Sequence, residues 1–150
     1  MKQLHAIRNT DWERVTELAA EVGENSRQSE NARLELVGLL DELINEYGRM
    51  PKLLATYADY VEDPQLAIPL LEEALKLEEG PERMYTMDSL AGRYVELLNE
   101  RPPVAVTRQR LLNLLDDFKN LLDQFPDEFF RDELNEFMRV AIAGKEGVTE

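Results

Sequence analysis

The chain has no cysteine and one histidine, His5. Without thiols there is no disulfide framework, no thiolate zinc site and no cysteine nucleophile. One imidazole cannot build a His-rich zinc or haem site, or a Cys–His catalytic pair. Neither G-x-G-x-x-G nor G-K-[ST] occurs, so the glycine-rich phosphate loops are missing as well. No apolar run approaches the ~20 residues that span a bilayer. The first fifteen residues lack the apolar core of a signal peptide, and a cytoplasmic location is the expectation. Positive charge is scarce, with 17 Lys and Arg against 31 Asp and Glu and a formal net charge of −14. Lys and Arg are what hold nucleic-acid phosphates and anionic lipid, so neither partner is expected. Alternating Val/Ile/Thr runs bounded by hairpin turns are absent too, which removes the strand signal.

Helical periodicity fills the space these absences leave. A hydrophobic share of 43% beside 32% charged residues is that of a folded protein. At 150 residues, one domain buries about two-thirds of its unfolded surface. The clearest element begins at Asp63 and Pro64, an N-cap followed by a first-turn proline. Leu66, Ala67, Leu70, Leu71, Ala74, Leu75 and Leu77 then form one apolar stripe, closed by Gly80 and Pro81. Pro69 falls in the second turn, where it removes a backbone hydrogen bond and predicts a kink or an irregular start. Thr10 and Glu13 have the S/T-x-x-E spacing of a capping box and predict a first helix over 11–22. Further helices are predicted over 29–47, ended by Gly48, then 51–62, 81–99, 106–124 and 128–143. Pro51 opens one of these, Pro102 and Pro103 stop another, and Asp127 caps the last. Residues 144–150 read as a short polar tail. The expected fold is all-α, about seven antiparallel helices joined by short connections in one domain over 1–150.

Part of this pattern resembles a known family. Ala67, Leu71, Ala74, Leu75 and Leu77 followed by Pro81 resemble the second helix of a tetratricopeptide repeat, and Leu54 with Ala55 resembles its first. Leu90, Ala91 and Tyr94 resemble another first helix, with Phe118, Leu121, Leu122 and Pro126 as its partner. Ala58 stands where a large aromatic is expected and Leu121 where a small residue is. Leu43, Ala74 and Leu121 are spaced by 31 and 47 residues, whereas a strict array repeats about every 34. The likeness covers residues 51–126. It implies a divergent helical-hairpin array, an α–α superhelix, with the seventh helix as a C-terminal cap. A non-repeating helical bundle is the competing arrangement.

Candidate chemistry is thin. The acid pairs Glu72–Glu73, Glu78–Glu79, Asp116–Asp117 and Asp132–Glu133 are adjacent in sequence. Neighbours on a helix point about 100° apart, so none is a site by itself, and no calcium-loop spacing occurs. The expectation is therefore no cofactor, no metal and no catalytic residue. Arg101, Arg108 and Arg110 form the one basic cluster and read as solubilising or ion-pairing residues.

The family resemblance implies a concave groove lined by the first helix of each hairpin. It projects Lys52, Thr56, Asp59 and Tyr60 into that groove from the third helix, and Tyr85, Asp88, Gly92 and Glu96 from the fifth. Tyrosines among short polar and acidic groups suit a peptide or protein surface, with the carboxylates selecting basic or amide-rich ligands. The function expected is a non-enzymatic protein–protein interaction module of bacterial type, such as an adaptor, chaperone or neutralising partner. A second reading is an acidic inhibitor or nucleic-acid mimic that occupies a basic surface on another protein. A third is an enzyme with two or more acids converging in an apolar pocket with raised pKa values. Phe129, Phe130, Phe137 and Met138 either cover the sixth helix or offer a face for a homodimer.

Overall fold

A computed structural model describes residues 7–23, 27–100 and 105–147. Seven α-helices and no strands are found among them: α1 Asn9–Val22, α2 Arg27–Tyr47, α3 Pro51–Tyr60, α4 Pro64–Leu77, α5 Arg83–Glu100, α6 Ala105–Gln124 and α7 Glu128–Gly147. The fold is all-α, as the periodicity predicted. One 3-10 turn, Gly80–Glu82, leads into α5.

Local chemistry fixes several boundaries. The Asp63 side chain accepts from the Gln65 amide and Asp127 accepts from the Phe130 amide, satisfying donors that a helix start leaves unpaired. Gly48 takes φ +93, which a residue with a Cβ rarely adopts, and ends α2 three residues before Pro51 opens α3. Other boundaries depart from expectation. Thr10 does not cap α1. The helix begins at Asn9, two residues earlier than predicted, with Arg8 at the N-cap position and no side-chain cap. The reason is tertiary: the Arg8 amide donates to the Tyr47 hydroxyl of α2, and that hydroxyl donates to Asp11 at 2.7 Å. Gly80, expected to close α4, sits beyond it. The chain leaves the helix at Glu78 in an extended conformation, and Gly80, at φ +70, opens the 3-10 turn. Pro69 is exposed and α4 runs through it unbroken. Helix α7 continues to Gly147, four residues past its expected end; 148–150, like His5 and Arg101, lie outside the described residues.

Each helix packs on the next in sequence, and α7 packs on both α6 and α5. Two apolar clusters form the core. One joins α1 and α2 to α3 through Val15, Leu18, Leu36, Leu40, Leu53 and Leu54, with Ala74 of α4. The other joins α4 to α7 through Leu71, Met87, Leu111, Leu115, Phe118 and Phe130. Ala55 and Leu70 pack against both, so the α3–α4 hairpin is the seam between them. Of the apolar residues expected on α7, Phe130 is buried and Phe137 and Met138 are partly buried against the core, whereas Phe129 stays 61% exposed. Arg108 is buried on α6, whereas Arg110 is exposed.

Candidate functional site

Helices α3 and α5 form the two sides of a groove because each carries its apolar residues on one face only. On α3, Leu53, Leu54 and Ala58 are buried, which turns Lys52, Thr56, Asp59 and Tyr60 to the other side. On α5, Met84, Met87, Leu90, Ala91 and Tyr94 are buried, and Tyr85, Ser89, Gly92 and Glu96 recur on the opposite face. Two hollows result. The first, about 460 Å³, is lined by Lys52, Thr56 and Asp59 on one side and Tyr85, Thr86 and Ser89 on the other, with Glu78 and Glu82 from the connection. The second, about 620 Å³, is lined by Asp59, Tyr60 and Glu62 and by Ser89, Gly92, Arg93 and Glu96, with Arg33 of α2 closing it. Asp59 and Ser89 belong to both, so the hollows run together along the α3–α5 cleft.

Seven of the eight residues expected in a groove line these hollows, and Asp88 does not. Ser89 was legible in principle, being four residues after Tyr85 on the same helical face. Glu78, Glu82 and Arg33 reach the groove from a connection and from another helix, and no spacing within α3 or α5 points to them.

The side chains differ in how they are held. The Tyr85 ring is 70% exposed and meets the buried Phe130 ring edge-on, with centroids 4.9 Å apart. Thr56 donates its hydroxyl back to the Lys52 carbonyl at 2.7 Å. Lys52 carries its ammonium 4.0 Å from the centroid of the Trp12 ring. Burial pushes the Asp59 carboxyl up, opposed by a hydrogen bond from Ser89 and by the nearby Arg93 charge. Burial raises the Tyr60 phenol too, with the Asp59 charge adding to it. Glu78 is raised by burial and by Glu82, against a hydrogen bond with Thr86 and the charge of Arg83.

Two arginines are turned inward. Arg93 is 11% exposed at its side chain and donates to the carbonyls of Ala58, Val61 and Glu62 at 2.7, 2.5 and 3.3 Å, and to the Glu96 carboxylate at 3.1 Å. The last carbonyls of a helix have no intrahelical donor and carry its negative dipole end, so a guanidinium there answers both needs at the end of α3. Arg33 donates to the Tyr60 carbonyl at 3.2 Å and pairs with Glu30 and Glu62.

Asp88 points the other way, to α7. Its Oδ1 is buried with no hydrogen-bond partner, and Glu133 of α7 is the neighbouring side chain that bears on it most. Burial first, then Glu133, then the charge of Asp59 pushes Asp88 up to about 7. The acids that converge therefore come from three helices, not from the adjacent pairs visible in the sequence. Among the described residues, no group of three or more His, Cys, Asp or Glu is arranged to hold a metal ion, and no helix is long and apolar enough to cross a membrane. The chain matches no protein-family model, no curated protein and no solved structure.

Proposed function

We propose that this chain is a protein-interaction module whose α3–α5 groove receives a segment of a partner protein, with the helices arranged as a divergent tetratricopeptide-like array. One observation carries the reading: a cleft of two joined hollows is walled by one polar face from each of two helices, with the Tyr85 ring exposed at its rim. An exposed aromatic supported from below by another ring is a ready anchor, since it brings contact area with little entropy left to lose. Serial packing of each helix on the next supports the array, as does the contact of α5 with α7 across α6. The enzyme reading draws on the Asp88–Glu133 contact, but neither residue lines a hollow of the groove, so the binding reading is preferred.

The test uses two variants that act oppositely on shape. Tyr85→Ala removes the anchor. Gly92→Leu fills the second hollow, where a Cβ at Gly92 meets no atom within 4 Å. Proteins captured from native lysate by the wild type and identified by mass spectrometry are expected to be lost with both variants at unchanged helicity, and kept by Leu66→Ala on the exposed side of α4. Capture that survives both groove variants rejects the reading.

A further inference from the structure

The side of α5 turned away from the groove has a hollow of its own. It lies between α4, α5 and α6, holds about 490 Å³, and shares no residue with the α3–α5 cleft. Lys76, Arg83 and Arg110 line it, together with Leu75, Leu90 and Leu114.

These three cations are uncommitted. Among the described residues, eight Lys and Arg side chains pair with acids, and Lys52 lies over Trp12. Lys76, Arg83 and Arg110 make neither an ion pair nor a side-chain hydrogen bond with the described residues. In a chain with 31 acids to 17 cations an unpaired cation is the rarer case, and here three meet in one place. The acids that feel their charge are occupied by other donors. Glu73, near Lys76, accepts two hydrogen bonds from Arg49 at 2.8 and 2.7 Å. Glu78, near Arg83, is hydrogen-bonded with Thr86. Glu72, on the wall of the hollow, accepts from the Tyr94 hydroxyl at 2.9 Å, and the charge of Arg110 bears on that same hydroxyl. Arg83 also keeps its Nε buried without a hydrogen-bond partner, a donor that costs stability until an acceptor answers it. Asp117 is the acid left on the wall to oppose the three cations, so the hollow stays net positive in an acidic molecule.

We propose that this hollow binds a small organic phosphate, a monoester whose head is held by Arg83, Arg110 and Lys76 and whose apolar body lies on Leu75, Leu90 and Leu114. Guanidinium forks match phosphate oxygens in pairs, and a lysine adds a point charge. A phosphate monoester carries about 1.5–2 negative charges at neutral pH and so draws on more than one cation, whereas a carboxylate carries one. The volume falls in the range of small-molecule sites, roughly 300–1,000 Å³, and the leucines supply the apolar lining such sites use. The site is independent of the groove, and neither depends on the other being occupied.

Titration of the full chain with phenyl phosphate at low ionic strength, followed by amide NMR, tests this beside benzoate, benzyl alcohol and inorganic phosphate. Phenyl phosphate is expected to shift the amides of Leu75, Arg83 and Leu114 saturably and to bind Arg83→Gln/Arg110→Gln tenfold or more weakly. It is expected to bind Arg14→Gln/Arg139→Gln, which removes equal charge from exposed, ion-paired positions on α1 and α7, as it binds the wild type. Asp117→Asn removes the opposing acid and is expected to tighten binding severalfold, a gain that a misfolded variant cannot give. No saturable binding of phenyl phosphate, equal loss in the two double variants, or no gain in Asp117→Asn overturns the proposal. Benzyl alcohol binding as tightly overturns the anion seat. Benzoate binding as tightly overturns the need for a second charge, and inorganic phosphate binding as tightly overturns the role of the leucines. A decapeptide of alternating glutamate and leucine that binds more tightly and displaces phenyl phosphate overturns the small-molecule occupant in favour of a protein segment.

Discussion

The two hollows that share Asp59 and Ser89 are built for different tasks. In the second, the cations face inward. Arg93 and Arg33 close the end of α3 by donating to its carbonyls, so the charge there serves the fold. In the first, Tyr85 stands mostly in solvent, Lys52 rests on an aromatic face, and Glu78 and Glu82 line the hollow from the connection. One cleft thus combines a stitched end and an open end. The stitched end ties the end of α3 to α5 through the Arg93 hydrogen bonds.

The largest effect is expected at the stitch. Arg93→Ala leaves the Ala58, Val61 and Glu62 carbonyls without their donor in a half-buried setting. Hydrogen bonds to a charged group contribute about 1.5–3 kcal/mol, and several share this donor, so a loss of about 2–4 kcal/mol is expected in urea unfolding. Arg93→Lys keeps the charge but cannot fork to several carbonyls, and is expected to recover less than half. A loss under about 1 kcal/mol for Arg93→Ala would make the second hollow as dispensable to the fold as the first.

Much of this architecture was legible in the chain because its causes are local. Asp63 with Pro64, Gly48 before Pro51, and Asp127 act within one turn of themselves, and the stripes on α5 and α6 need only a period of 3.6. The failures share a different cause. Thr10 is a sound cap by spacing, yet Arg8 and Asp11 are held by Tyr47 and Glu46 from α2, and that contact sets where α1 begins. Asp88 shares the general face of Tyr85 and Gly92, but three residues from Tyr85 is far enough round the helix to aim it at α7. Spacing on one helix locates a face. Which neighbour that face meets depends on the packing angle of a helix forty residues away.

At the open end, smaller changes are expected in stability than in binding. Lys52→Ala removes a cation–π contact worth about 0.5–1 kcal/mol at an exposed site, and Tyr85→Ala an edge-on ring contact worth about 0.5–1.5 kcal/mol. Each variant is expected to unfold within about 1.5 kcal/mol of wild type, against the larger loss for Arg93→Ala. A thermal shift for either as large as that of Arg93→Ala would erase the distinction between the two hollows.

The smallest expected effect is a slope. Asp88 is pushed up to about 7 in the folded chain and returns to an ordinary carboxylate value on unfolding. The native state therefore holds a proton that the unfolded state has released between about pH 4 and pH 7, and by linkage stability falls as pH rises through that window. Asp59 and Glu78, also raised, tilt the curve the same way, while Glu30, Glu73 and Glu136, held low by their arginines, tilt it oppositely at more acidic pH. The difference between wild type and Asp88→Asn cancels those shared contributions. Urea midpoints measured from pH 5 to pH 8 are expected to converge or cross in favour of Asp88→Asn as pH rises, since asparagine keeps a donor toward Glu133 without the charge. Parallel curves would mean that Asp88 holds no proton against α7.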